Sequence, residues 1–190
     1  MLTSGKPHKT RVCAGTPQNE RELLRDLARK AEQELIGVQM ASMDELTLLP
    51  NRHGFIALAQ LGLDACQRLG RPATLLFFNL EDFKRINYLF GRKEGDHALK
   101  TFADVLSIGF RESDVIGRLE GATFVALLTG SCGVDVAAIK ARLEEMLDER
   151  NTMAHRGYGI RFSIGQIEHD PGQHESVEEL LVEAERVLGR

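Results

Sequence analysis

A short apolar run at residues 73–79, ATLLFFN, constrains the fold more than any other segment. Its apolar residues do not alternate with polar ones, and Gly70 and Pro72 lie just before it. A strand with one wet face shows such alternation, whereas a short continuous run is typical of a strand that is buried on both faces. Residues 73–79 are therefore predicted to form a central strand of a sheet.

The rest of this region alternates between helical and strand patterns, which favours an α/β domain over a helix bundle or a β-sandwich. Apolar spacing predicts four helices, which lie at 51–68 with Asn51 as N-cap, around 99–106, around 136–147 and at 176–188. Further strands are predicted at 114–119, 123–129 and 158–166. The first two of them should form a hairpin, because Glu120-Gly121 provides a tight turn between them.

A different pattern precedes this region. Leu24, Ala28, Ala31, Leu35 and Val38 recur at spacings of four, three, four and three, as on the seam of a heptad repeat. The spacing predicts a helical arm over residues 20–43, either as a coiled-coil-like dimer arm or as a helix that packs on its own domain. Residues 1–19 lack apolar periodicity and are predicted to be a flexible lead-in.

Composition excludes several classes of function. The net charge of −4 removes the usual electrostatic reason to expect nonspecific DNA or RNA binding, and the longest apolar stretch is too short to span a bilayer. Cys13, Cys66 and Cys132 are far apart and form no CxxC pair, so reduced thiols are expected rather than disulfides or a zinc site. No apolar segment follows the basic first residues as in a secretory signal, and a cytoplasmic protein is expected.

Four segments in order resemble the GGDEF domain of bacterial diguanylate cyclases, over about residues 42–190. They are DELTLLPNR at 44–52, NLEDFKRIN at 79–87 with Gly95-Asp96, RESD at 111–114 followed by EGATF at 120–124, and SIG at 163–165 before the closing helix. The resemblance implies an α/β (α+β) fold, a palm-like domain of the nucleotidyl-cyclase type. Its central, mostly antiparallel sheet would be flanked by helices and would occupy residues 44–190.

The resemblance also implies the condensation of two GTP molecules to cyclic di-GMP, in which carboxylates hold Mg²⁺ at the sheet edge. The positions that match the family's metal-binding and turn carboxylates are Asn79, Ala122 and Thr123. The loss of each such group should reduce the stabilisation of the transition state by roughly several kcal/mol, and each increase of about 1.36 kcal/mol in the barrier lowers the rate tenfold. We therefore expect a catalytically degenerate member without a resident metal, with Mg²⁺ present only if GTP is bound. The alternative is an active diguanylate cyclase.

Some nucleotide-binding positions of the family are retained. Asn87 and Asp96 match the residues that read guanine, and Lys84 would face the phosphates. The family's lysine and arginine for the γ-phosphate, on and just after its closing helix, lie beyond the printed residues. A simpler interpretation is that Asn87 caps its neighbours, that Asp96 is the N-cap of the next helix and that Lys84 is solvated.

Arg111 and Asp114 match the R-x-x-D inhibitory site of the family, which binds cyclic di-GMP away from the catalytic centre, and Arg142 is placed where a second arginine contributes. The guanidinium would bind a guanine edge or a phosphate, and the carboxylate would accept hydrogen bonds from guanine. The alternative is a surface ion pair between Arg111 and Asp114.

We therefore predict a binding and signalling module for cyclic di-GMP or GTP, homodimeric through residues 20–43. A signalling protein is a possible further partner. A nucleotide-free scaffold that docks a partner protein is a further alternative.

Two remaining groups of polar residues are expected to have no catalytic role. Glu81 lies two positions after Asn79 on the strand, about 6.5 Å away, so it could join a metal site only with a backbone shift. His169 and His174 have no third ligand at metal spacing and are expected in a solvated loop.

Overall fold

The structure, a computed structural model, describes residues 17–131 and 134–188, so most of the predicted lead-in and both Cys13 and Cys132 lie outside the described residues. The chain divides into two units, Met1–Met40 and Ala41–Arg190. Helix α1 covers Pro17–Ala41, all but its last residue in the first unit, where the sequence predicted an arm over 20–43. Six large apolar side chains of α1 are 54–63% exposed; they are Leu23, Leu24, Leu27, Leu35, Ile36 and Val38.

The second unit contains a four-stranded antiparallel sheet in the order β2-β3-β1-β4. Its strands are β1 (Ala73–Leu80), β2 (Val115–Glu120), β3 (Thr123–Thr129) and β4 (Phe162–Glu168). β1 pairs with β3 on one side and with β4 on the other. The predicted central strand and the predicted β2–β3 hairpin are both confirmed.

Five helices of the second unit surround this sheet; they are α2 (Arg52–Arg68), α3 (Phe83–Phe90), α4 (Arg92–Gly109), α5 (Val136–Ala154) and α6 (Val177–Val187). Neighbouring residues of β1 point to opposite faces of the sheet. Phe77 packs in a core with residues of α2 and α6, and Phe78 packs in a second core with residues of α4 and α5. Two buried faces explain why the sequence of β1 shows no polar alternation.

The predicted N-cap of α2 is confirmed, but the predicted start of β4 is wrong. Asn51 Oδ1 accepts a hydrogen bond from the Gly54 backbone N–H at 3.0 Å, as expected of the α2 N-cap. β4 begins at Phe162 and not at 158, because the preceding residues bond to helices instead of to a strand. The Tyr158 hydroxyl donates to Glu94 Oε2 at 2.9 Å, and the Ile160 N–H donates to Asn151 Oδ1 at 3.0 Å.

No helix in the described ranges is long and apolar enough to cross a bilayer.

Candidate functional site

The β2–β3 turn is anchored by Arg118, a residue that the sequence analysis missed. The Arg118 guanidinium donates to both carboxylate oxygens of Asp44, at 3.1 and 3.0 Å, and to the Gly121 carbonyl at 3.0 and 2.8 Å. The Thr47 backbone N–H and hydroxyl also donate to Asp44, at 2.9 and 2.6 Å. Gly121 itself has φ 53°, a left-handed conformation that glycine adopts without strain. These bonds hold the turn against the segment that opens the domain.

The electrostatics of Asp44 follow from these contacts. Burial alone would raise the pKa of the Asp44 carboxyl, but the hydrogen bonds from Thr47 and Arg118 and the charge of Arg118 lower it below the usual 3.8. The carboxylate form is therefore the one that the fold stabilises.

The three positions predicted to lack catalytic carboxylates meet at this end of the sheet. Asn79 of β1 is paired with Thr123 of β3 on one side and with Ser163 of β4 on the other. The Leu80 N–H donates to the Ala122 carbonyl at 3.0 Å, which brings the turn against the end of β1. Asn79 is half-buried, whereas Ala122 and Thr123 are buried, with 7% and 3% of their surface exposed.

This set of side chains does not fit Mg²⁺, which prefers carboxylate oxygens and water. Asn79 offers one neutral amide oxygen and Ala122 offers no donor. The carboxylates that follow β1 are engaged elsewhere: Glu81 and Asp82 lie 3.7 and 3.2 Å from the Arg161 guanidinium. Among the described residues, no group of three or more His, Cys, Asp or Glu is arranged to hold a metal ion.

The residues predicted to read guanine lie on two helices that pack together. Asn87 is half-buried on α3, and a Cβ added to Gly95 of α4 would lie 1.8 Å from its Oδ1 atom, so the Asn87 amide occupies the space that Gly95 leaves free. Asp96 and Lys84 are exposed. Helix α4 begins at Arg92, so the hypothesis that Asp96 is its N-cap is wrong.

Arg111, Asp114 and Arg142 line one cavity of about 320 Å³, which we call the α4–α5 cavity. It lies between the end of α4, the start of β2 and the first two turns of α5. Its apolar wall includes Leu128 and Ile139. The structure thus brings together three residues that are separated by up to 31 positions in the sequence.

The predicted alternative of a surface ion pair between Arg111 and Asp114 is wrong. Asp114 Oδ2 accepts a hydrogen bond from the Arg111 backbone N–H at 3.1 Å, and Oδ1 accepts one from the Thr129 N–H at 3.4 Å. No hydrogen bond or ion pair among the described residues engages the Arg111 guanidinium. Arg142 Nη2 donates to the Gly109 carbonyl. Asp114 is therefore positioned by the backbone, while the Arg111 side chain keeps its donors available.

Arg111 also lines a second cavity, of about 410 Å³, together with Arg71, Ser113 and Thr129. Within the α4–α5 cavity, the second carboxylate is that of Asp135, which caps α5 by accepting from the Ala138 N–H at 3.1 Å. Two carboxylates engaged by backbone amides and two guanidinium groups therefore surround the cavity.

The expectation of a solvated loop at His169 and His174 is wrong for His174, of which only 6% is exposed. Its Nδ1 accepts from the Asp170 N–H at 3.1 Å, and its Nε2 lies 2.5 Å from Glu183 Oε2 on α6. Both ring nitrogens therefore have partners, and the side chain fastens this loop to α6.

Comparisons with known proteins agree with the fold. Residues 41–190 match the family model described as diguanylate cyclase, GGDEF domain. The chain is 32% identical over 146 residues to the cyclic di-GMP phosphodiesterase NbdA of Pseudomonas aeruginosa, an alignment that covers 77% of this chain and 18% of NbdA. It is 28% identical over 167 residues to the diguanylate cyclase DgcS of Shewanella oneidensis, covering 87% of this chain and 54% of DgcS. The chain thus spans only part of the length of these relatives.

Among solved structures, the coiled coil and GGDEF domain of DgcB from Caulobacter crescentus, in complex with c-di-GMP, superimposes with a TM-score of 0.72. The sequence identity is 21%, and the match covers 89% of this chain and 90% of that one. At this identity the likeness shows the fold alone.

Proposed function

The chain belongs to the GGDEF family, and we propose that it is a non-cyclising member that binds cyclic di-GMP in the α4–α5 cavity and acts in cyclic di-GMP signalling. The observation that carries this proposal is the convergence of Arg111, Asp114 and Arg142 on one cavity. Relatives named for making or degrading cyclic di-GMP support the choice of ligand.

The chemistry of the cavity suits a guanine dinucleotide. A guanidinium group can donate two hydrogen bonds to O6 and N7 of guanine or can bind a phosphate, and none of the described residues engages the Arg111 guanidinium. Each carboxylate oxygen of Asp114 accepts one backbone hydrogen bond and has a second lone pair for a guanine N–H. Leu128 and Ile139 offer apolar surface to a base.

The lack of cyclase activity is the second half of the proposal. Asn79, Ala122 and Thr123 supply no carboxylate at the β2–β3 turn, where the family resemblance places the metal ligands. Without that negative charge Mg²⁺ has no anchored position there, and the attacking hydroxyl would not be activated. We assign no resident metal to the chain and expect Mg²⁺ to accompany only bound GTP.

We further propose that α1 mediates a homodimer. Its 25 residues make a rod of about 37 Å, and its exposed Leu24, Leu35 and Val38 belong to the predicted seam. Light scattering of the purified chain should give twice the monomer mass, and Leu24→Lys together with Leu35→Lys should give the monomer mass. A monomeric parent chain at micromolar concentration would contradict the dimer.

Isothermal titration of the chain with cyclic di-GMP tests the binding proposal. We expect saturable binding at micromolar concentration or below, weakened strongly by Arg142→Ala and unchanged by Arg68→Ala, an exposed arginine of α2 that does not line the cavity. A parallel titration with GTP and Mg²⁺ examines the alternative site at Asn87 and Asp96. Binding of GTP without binding of cyclic di-GMP would assign the ligand site to Asn87 and Asp96. The absence of binding with both ligands would favour a scaffold that docks a protein.

A further inference from the structure

A third cavity, of about 350 Å³, lies between α3 and the segment that leads into β4. We call it the α3–β4 cavity. It shares no lining residue with the α4–α5 cavity, and none of the residues proposed to bind cyclic di-GMP or guanine lines it. Its size falls within the range of cavities that enclose small organic ligands.

The residues that line this cavity include more basic than acidic side chains. Arg85 and Arg161 line it, and Asp82 is its one lining carboxylate among the described residues. Asp82 lies 3.2 Å from Arg161 Nη2 and Glu81 lies 3.7 Å from its Nε, so the two carboxylates orient that guanidinium group and offset its charge. Arg85 has no hydrogen bond or ion pair with any described residue. Within the described part of the chain, the cavity therefore presents one guanidinium group without an ion pair, that of Arg85, beside the oriented guanidinium group of Arg161, and the charge of Arg85 favours an anion.

Other residues of the lining are aromatic or apolar. The rings of Phe90 and Tyr158 are 4.9 Å apart, and Leu89 lies beside them with 55% of its surface exposed. Burial raises the pKa of the Tyr158 hydroxyl, and the hydrogen bond to Glu94 raises it further, so the ring stays uncharged. Gly157 has φ 54°, and a Cβ at that position would lie 3.4 Å from the Phe90 ring. A glycine here therefore leaves the edge of the ring accessible.

Exposed apolar and aromatic surface beside guanidinium groups is a combination that suits an aromatic anion. We propose that the α3–β4 cavity binds a small anion that carries one planar ring, either an aryl carboxylate or an aryl phosphate. The ring lies against Leu89, Phe90 and Tyr158, and the anionic group lies between Arg85 and Arg161. This site does not depend on cyclic di-GMP binding.

Chemical-shift titration of the ¹⁵N-labelled full chain tests the proposal, because the Gly157 and Gly159 amides flank the cavity. The probes are phenyl phosphate and benzoate, with inorganic phosphate as the anion without a ring and benzyl alcohol as the ring without an anion. Both aromatic anions should shift the resonances of these amides saturably. Inorganic phosphate and benzyl alcohol should each bind at least about tenfold more weakly. Tighter binding of phenyl phosphate assigns the site to phosphate esters, and tighter binding of benzoate assigns it to carboxylates.

Matched variants separate the site from general electrostatics. Arg85→Gln should weaken binding of phenyl phosphate about tenfold, whereas Lys93→Gln, the same charge change at an exposed residue outside the cavity, should not. Leu89→Ser should weaken it as well, and Leu58→Ser, at an exposed leucine of α2, should not.

Three results would overturn the proposal. The first is the absence of saturable shifts at the two glycines up to about 10 mM ligand, a concentration at which a fragment of this size should bind. The second is equally tight binding of inorganic phosphate, and the third is an equal effect of Arg85→Gln and Lys93→Gln.

Discussion

The two ends of strand β3 carry different chemistry although they belong to one continuous strand. At one end, which we call the hairpin end, Thr123 pairs with Asn79 beside Ala122. At the other, which we call the cavity end, the Thr129 N–H donates to Asp114 next to Arg111. The ends are about 20 Å apart. The hairpin end retains the bonds that shape its turn but has no carboxylate at Asn79, Ala122 or Thr123, whereas the cavity end retains charged groups around an open space.

This difference shows that the contacts that shape the turn are separate from the side chains that would carry its chemistry. The Arg118 bonds to Asp44 and Gly121 shape the turn whether or not carboxylates stand at Ala122 and Thr123. The bonds that hold this turn are therefore no evidence of the family's reaction. At the cavity end, by contrast, backbone bonds position Asp114, and no residue in the described ranges engages the Arg111 guanidinium.

The largest expected effect is on ligand affinity at the cavity end. Arg111→Ala removes the guanidinium that would donate two charged hydrogen bonds to the ligand, so the Kd for cyclic di-GMP should rise about 100-fold. Calorimetry measures this, and circular dichroism should show an unchanged fold because the side chain is exposed. An Arg111→Ala variant that binds with the affinity of the parent chain would show that the ligand does not bind in this cavity.

At the hairpin end the largest effect should be on stability. Arg118→Ala leaves the Asp44 carboxylate without its cationic partner and frees the Gly121 carbonyl, so the free energy of unfolding should fall by about 2–3 kcal/mol. Urea denaturation measures it. Arg161→Ala, at a 70% exposed arginine with two ion pairs, should cost less than about 1 kcal/mol and serves as the control. Equal losses in the two variants would show that Arg118 is not an anchor.

A smaller effect should appear in acid. The pKa of Asp44 is lowered in the folded state, so its contribution to stability is present above the unfolded pKa of about 3.8 and is lost as the pH falls through the folded value. The stability difference between the parent chain and Asp44→Asn should therefore be largest near neutral pH and shrink below about pH 4. Urea denaturation across this range measures it, and a pH-independent difference would show that the Asp44 charge contributes nothing.

The smallest expected effect is that of restoring one carboxylate. Asn79→Asp should yield no measurable cyclic di-GMP from GTP and Mg²⁺, because Ala122 and Thr123 still supply no acid at the turn. Chromatography of the reaction mixture measures the product. Turnover by this variant, or by the parent chain, would mean that the hairpin end is catalytically competent and that the two ends do not differ as proposed.

Local patterns predicted most of the fold, because β1, the hairpin and the helix caps depend on neighbouring residues. Contacts between distant residues were not predictable in this way. Arg118 and Asp44 are 74 positions apart, and Tyr158 and Glu94 are 64 apart, so no periodicity signals either pair. The latter contact moves the start of β4, and the contact of His174 with Glu183 buries a histidine expected in solvent.

For the candidate site, the sequence indicated which residues matter at the cavity end but not how they are bonded. Spacing alone favoured an ion pair between Arg111 and Asp114 as strongly as a ligand site. In the folded chain the Asp114 carboxylate instead accepts hydrogen bonds from the backbone N–H groups of Arg111 and Thr129. These bonds depend on where β3 ends relative to the turn between α4 and β2, and that position is known only from the folded structure.

Chemical-shift mapping of the ¹⁵N-labelled chain with cyclic di-GMP tests the central claim most directly, because both ends of β3 are observed in one titration. We predict saturable shifts of the Thr129, Arg111 and Asp114 amides at the cavity end and no shift of Thr123 at the hairpin end. Shifts at Thr123 and Asn79 without shifts at the cavity end, or no shift at either end, would contradict this claim.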